Sequence, residues 1–210
     1  MFSCAGIPDE VPAPALPFRT YTRNETPYQI IEHKAGNLKE DLPDWVVRYI
    51  SDGISGVEAL PRYANHYVFI GVNSGANFTA LSHWSAGFIV DQDFSQLVSL
   101  RVLARFIGDG QRSPDRDYGR YFEAAVRNAA DTFYPDAIRE DNFWLLKRYE
   151  NEDETGPDEV YDFYILVSIA KDLLQSQLNQ VLINAEEGLT LTRDQIGAVN
   201  RLRESFYAGF

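Results

Sequence analysis

Phe143-Trp144-Leu145-Leu146-Lys147-Arg148-Tyr149 and Val160-Tyr161-Asp162-Phe163-Tyr164-Ile165-Leu166-Val167-Ser168-Ile169 decide the fold. Both runs are rich in aromatic and β-branched residues and short enough to be strands. The acidic connector from Glu150 to Glu159 separates them, so they most simply form an antiparallel hairpin. A third run, His66 to Val72 (HYVFIGV), reads as a buried strand closing in the glycine turn Gly71-Val72-Asn73-Ser74-Gly75.

Helical spacing fills the rest of the chain. Asp41-Leu42-Pro43 places a capping acid and a proline where helices begin, and Trp45, Val46, Tyr49 and Ile50 follow on one face until Gly53 stops the run. Ser55 to Asn65, with Gly56 and Pro61, reads as loop. Phe78, Leu81, Trp84 and Phe88 start a stripe that Phe94, Leu97, Val98, Val102 and Phe106 continue, with a break near Gly87 and Val90-Asp91. Tyr118 to Phe133 is the next amphipathic helix, ended by Pro135. Leu174 to Ala185 is another, and Thr192 with Gln195 forms a capping box for a last helix through Phe206. Thr26 to Glu32 (TPYQIIE) reads as either a short edge strand or an extended arm. The order strand, long helical excursion, hairpin predicts an α+β domain: a small three-stranded, mainly antiparallel sheet covered by several helices in two layers.

The ends carry a separate signal. The single cysteine, Cys4, sits among small residues, and Ile7 to Pro17 (IPDEVPAPALP) holds four prolines in an acidic context. Such a stretch favours an extended polyproline-type spacer. A thiol leashed by a stiff spacer is how a bacterial lipid anchor is built, with Ser3 in the small position before the cleavage point. Two or three acyl chains, at ~0.8 kcal/mol per buried methylene, would anchor it firmly. The alternative is a free cytosolic thiol. The expected organisation is an anchor and tether over 1–27 and a single α+β domain over 28–210.

Acids outnumber bases 31 to 19 for a net charge of −12. This charge repels phosphate backbones, so no nucleic-acid partner is expected. One cysteine excludes a four-cysteine zinc site and any intramolecular disulfide. His33, His66 and His83 lack metal-binding spacing. The Gly71 to Gly75 segment lacks the lysine and Ser/Thr of a phosphate loop, and no GxSxG elbow exists. The acidic connector does not follow an EF-hand order and reads as a solvated hairpin tip. No catalytic residue, cofactor or metal site is assigned. Trp45, Trp84 and Trp144 lie in apolar patterns, and one partly exposed tryptophan among them would mark a protein contact.

Three features together resemble the small outer-membrane lipoproteins of the twenty-kilodalton surface lipoprotein type, related to the N-terminal module of the flagellar assembly protein T. They are Pro43-Asp44-Trp45-Val46 soon after the spacer, the glycine-ended strand Val68 to Gly75 followed by a long helical stretch, and the late strand Tyr161 to Ala170 running through Lys171 into a helix. The likeness spans Leu42 to Ala185, and the last helix lies beyond the family's pattern. It implies a non-enzymatic scaffold of the bacterial envelope, periplasm-facing or on the surface. Its contacts would be a protein of the envelope or flagellar machinery, or a second copy, with the membrane reached only through lipid on Cys4. The rival readings are a periplasmic carrier of a small molecule or lipid with an apolar cavity, and an enzyme without a familiar motif. A cytoplasmic location goes with the free-thiol alternative.

Overall fold

The computed structural model describes residues 28–36, 41–108, 116–149 and 158–187, with positions 192, 193, 196, 197, 199 and 200. Cys4, the proline-rich spacer, the hairpin tip at 150–157 and most of the last helix lie outside the described residues.

The predicted hairpin is present and longer than its apolar runs. β3 (Ile138–Tyr149) and β4 (Asp158–Ala170) pair antiparallel from Tyr149↔Asp158 to Ile138↔Ser168, with a register shift between Arg139 and Asp141. β2 (His66–Gly75) pairs with β4 along its whole length, from His66↔Ala170 to Gly75↔Tyr161. The expected glycine turn at Gly71 is therefore strand, and the chain turns only after Gly75. Of the stretch Thr26 to Glu32, the described part is an edge strand and not an arm: β1 (Tyr28–His33) pairs antiparallel with β3, with a register shift between Ile30 and Glu32. The sheet therefore has four strands, in the order β1-β3-β4-β2, and not three.

Helices cover both faces of this sheet, which corrects the expected two layers. On one face Tyr67, Phe69, Ile165, Val167 and Ile169 pack with Phe94, Val98, Tyr121, Leu174 and Leu178. Those partners come from α3 (Val90–Gly108), α4 (Arg116–Asp131) and α5 (Lys171–Glu186). On the other face Val68, Val72, Phe143, Leu145, Tyr164 and Leu166 pack with Trp45, Val46 and Val57 of α1 (Asp44–Glu58) and with Tyr63. β4 is paired on both sides and covered on both faces, which is why its sequence is almost continuously apolar where a one-sided strand alternates. Each fully buried Leu, Ile, Val or Phe contributes about 1.5–3 kcal/mol relative to exposure.

The helical run breaks at Gly53 as expected: its φ 70°, ψ −156° is non-helical and free of strain only for glycine, and a second helical stretch continues beyond this kink to Glu58, the two together being α1. A 3-10 turn over Pro61–Tyr63 follows, so part of the segment expected as loop is helical. The break in the long helical stretch is real. α2 (Phe78–Gly87) starts on Asn77, whose side chain accepts from the Ala80 N–H at 3.1 Å. It ends where the Arg139 guanidinium donates to the carbonyls of Ser85 (3.0 Å) and Phe88 (3.2 Å). α3 then opens with the Asp93 carboxylate accepting from the Ile89 N–H at 2.6 Å. Of the last helix, Val199 is buried in the core beneath α3 to α5.

Candidate interaction surface

The three tryptophans occupy different environments. Trp45 is only 2% exposed and its indole N–H donates to Asp141 Oδ2 at 3.0 Å. As a surface residue it is corrected: its ring fills the core under α1, and its polar edge meets a half-exposed carboxylate at the rim of that core. Trp84 is half-buried and packs against the core beneath α3 to α5. Trp144 is half-buried on the α2 side of β3, within an aromatic patch.

Phe78, the first residue of α2, builds that patch. It is 38% exposed, and its ring meets Trp144, Tyr161 and Phe163 edge-on at centroid distances of 5.1, 5.2 and 5.3 Å. Edge-to-face contacts of this kind add about 0.5–1.5 kcal/mol each beyond buried area. The strand pairing explains the grouping. Trp144 stands opposite Phe163, Leu146 opposite Tyr161, and opposed residues of an antiparallel pair point to the same face. α3 to α5 cover the other end of this face, near Tyr67 and Ile169, so the aromatic end is roofed only by the start of α2 among the elements described.

The opposite face holds a buried polar cluster that sequence reasoning missed. Lys147 Nζ lies 2.8 Å from Asp162 Oδ2, both side chains nearly sealed from water, and the Tyr164 hydroxyl donates to the same carboxylate at 3.0 Å. The Tyr28 ring covers the ammonium, 3.9 Å from its centroid. Burial works against the charged lysine, but Asp162, through charge and hydrogen bond, outweighs it and holds the ammonium protonated well past the ordinary lysine range. Burial, reinforced by Asp162, likewise pushes the Tyr164 hydroxyl up. The cluster is a strand-to-strand clamp: one carboxylate of β4 holds a lysine of β3 and a tyrosine of its own strand.

The histidines do not converge. His33 is buried at the edge of the sheet, stacked on Phe143 at 5.9 Å, with Nδ1 unpartnered. His66 begins β2 with a buried, unpartnered Nδ1, and His83 is exposed on α2. Among the described residues no group of three or more His, Cys, Asp or Glu is gathered closely enough to hold a metal ion. No helix among them is long and apolar enough to cross a membrane. A cleft of about 400 Å³ between α4 and α5 is lined by Arg120, Glu123, Arg127, Asn128, Asn184 and Glu187, walls too polar for the apolar cavity of a lipid carrier.

Ser85, Arg139 and Phe88 illustrate how the fold steadies the patch from behind. Arg139 ties the end of α2 to β3, which holds Phe78 at the other end of the helix over Trp144. Comparison of the chain with protein-family models, with curated proteins and with solved structures finds no match to any of them.

Proposed function

We propose that this chain is a non-enzymatic interaction module of the bacterial envelope, held at a membrane by lipid on Cys4 and the Ile7 to Pro17 spacer. Its contact surface is the patch formed by Phe78, Trp144 and Tyr161, and its partner is a protein of the envelope or flagellar machinery. The observation that carries this reading is the exposure of Phe78 at the head of a four-ring aromatic cluster. Large, rigid aromatic side chains that remain partly open to water are the residue types that dominate protein contacts.

Two measurements test it separately. Intact mass and detergent partitioning of the native protein test the anchor: a water-soluble, unacylated product beginning at Met1 removes it. A photo-crosslinking residue at position 78, compared with one at the exposed position 183 of α5, tests the patch in the cells that make the protein. A discrete adduct at position 78 alone supports the surface; the same pattern at both positions, or none, removes it.

A further inference from the structure

The rings of Phe78, Trp144 and Tyr161 stand 5.1 to 6.0 Å apart, all three partly open to water, with Phe163 buried beside them. They also bring two polar groups. Among the described residues, neither the Trp144 indole N–H nor the Tyr161 hydroxyl has a hydrogen-bond partner. Aromatic surfaces with donors at hand are where extended proline-rich chains dock. Proline rings lie flat on aromatic faces, and a polyproline-type backbone makes no internal hydrogen bonds, so its carbonyls can accept from tryptophan and tyrosine. Such a chain is preformed, and little ordering entropy opposes its binding.

The protein carries a segment of this kind. Within Ile7 to Pro17, Pro14-Ala15-Leu16-Pro17 sets two prolines three residues apart. At three residues per turn and 3.1 Å per residue, both fall on one edge of a polyproline helix, about 9 Å apart. The place where the chain joins the sheet puts this segment in reach. Tyr28, the first residue of β1, pairs with Tyr149 of β3, and Tyr161 of β4 pairs with Leu146, three residues along. Two strand spacings across and three residues along separate Tyr28 from Tyr161, a distance of about 14 Å. Pro17 precedes Tyr28 by eleven residues, which reach up to about 36–40 Å when extended.

The connection also decides between occupants. A tether this short holds the segment near the patch at an effective concentration in the millimolar range, so a contact too weak to form between separate molecules is populated within one. Two copies each carry a net charge of −12 and repel, which opposes the same contact between chains. We propose that residues 7–17 fold back onto the aromatic patch, laying Pro14 and Pro17 on the rings of Trp144 and Tyr161, and keep the contact surface covered until a partner displaces them. Such self-covering presupposes that the patch is the contact surface proposed above, and adds its regulation. A partner then binds with an affinity reduced by the fraction of chains whose patch is uncovered, and weakening the internal contact strengthens the external one.

The test places an aromatic photo-crosslinking residue at position 78, or at the exposed position 183, of the purified full chain, kept reduced so that Cys4 stays unpaired, and maps adducts by mass spectrometry over a dilution series. The expected result is an internal adduct from position 78 to residues 7–17, at monomer mass, in a yield that dilution does not change, and none from position 183. The triple substitution Pro12→Ser, Pro14→Ser and Pro17→Ser leaves every residue of the sheet and its helices in place. It is expected to lower that yield by about tenfold while raising the partner adduct formed in cells. Three results overturn the proposal: no adduct to residues 7–17, an adduct at dimer mass that fades on dilution, which would make a second copy the occupant, or a yield that the serines leave unchanged. Covering and function fail separately. A partner adduct in cells without the internal one overturns the covering alone, and the internal adduct with no partner in cells supports the docking and removes the function.

Discussion

Lys147 and Asp162 sit on adjacent strands with Nζ and Oδ2 2.8 Å apart, their side chains only 5% and 3% exposed. Bringing two charges out of water costs several kcal/mol per ion, and mutual attraction returns most of it only if the partners stay together. The structural consequence is a penalty for misalignment: a slip of β3 against β4 would strand a buried charge.

Breaking the pair is therefore costly, and replacing it is not. Asp162→Ala leaves the ammonium and the Tyr164 hydroxyl without an acceptor, and is expected to destabilise the fold by ~3–5 kcal/mol in denaturant titration. The combined substitution Lys147→Met, Asp162→Leu and Tyr164→Phe removes both charges and the hydroxyl bonded to them, and is expected to lie within about 1 kcal/mol of the parent or above it. Equal losses in the two proteins would refute the clamp.

This cluster, and Tyr134 in the core on the other face of the sheet, set an alkaline limit. Lys147, Tyr164 and Tyr134 all titrate above their ordinary values of 10.5 and 10.0 in the folded chain, Tyr134 because of burial. Below those values folded and unfolded chains hold the same protons, and the contribution is complete. Above about pH 10 the unfolded chain releases protons that the folded chain keeps, so stability falls as pH rises. Urea midpoints measured between neutral pH and pH 11 are expected to be flat for these groups up to about 10 and to drop beyond, with Tyr134 and Tyr164 ionising only as the chain unfolds.

Gly53 makes the bend in α1 possible. Its φ of 70° with ψ of −156° lies where an added Cβ is strained even though nothing stands within 4 Å. Gly53→Ala is expected to cost ~1–3 kcal/mol. Gly56→Ala fails for a different reason, since its Cβ would come within 2.8 Å of the Arg48 carbonyl oxygen. A thermal scan showing no loss for Gly53→Ala would mean that α1 runs straight.

Asp141 ties α1 to the start of the hairpin through the Trp45 indole at 3.0 Å. Asp141→Ala leaves a buried N–H unpaired, an expected loss of ~1–3 kcal/mol. Trp45→Phe adds a void to the lost bond, and is expected to cost more than Asp141→Ala by calorimetry. The reverse order would show that the bond matters more than the packing.

How far the residues foretold this arrangement depends on how much of each signal was local. FWLLKRY and VYDFYILVSI announced the hairpin because apolar β-branched and aromatic runs of that length have few other homes. β1 was ambiguous because six residues paired along one side, with a bulge, carry little pattern of their own. The second helical layer was legible in principle: β4 runs apolar for nearly its whole length, and only a strand covered on both faces does so. Lys147 and Asp162 also left a trace, since each shares the parity of core residues, Leu145 with Lys147 and Tyr164 with Asp162. The capping of Val68 by Glu58 and Arg101 left none, because it joins residues 10 and 33 positions away through a fold that periodicity does not specify. Of the three tryptophans, pattern alone could not separate Trp45, sealed in the core, from Trp144, open at the rim of the aromatic cluster.

The strand order β1-β3-β4-β2 has a geometric corollary. The first two strands in sequence, β1 and β2, form opposite rims of the sheet, three strand spacings or about 14 Å apart. The hairpin of β3 and β4 fills the middle, so neither rim strand can be lost without baring one side of it.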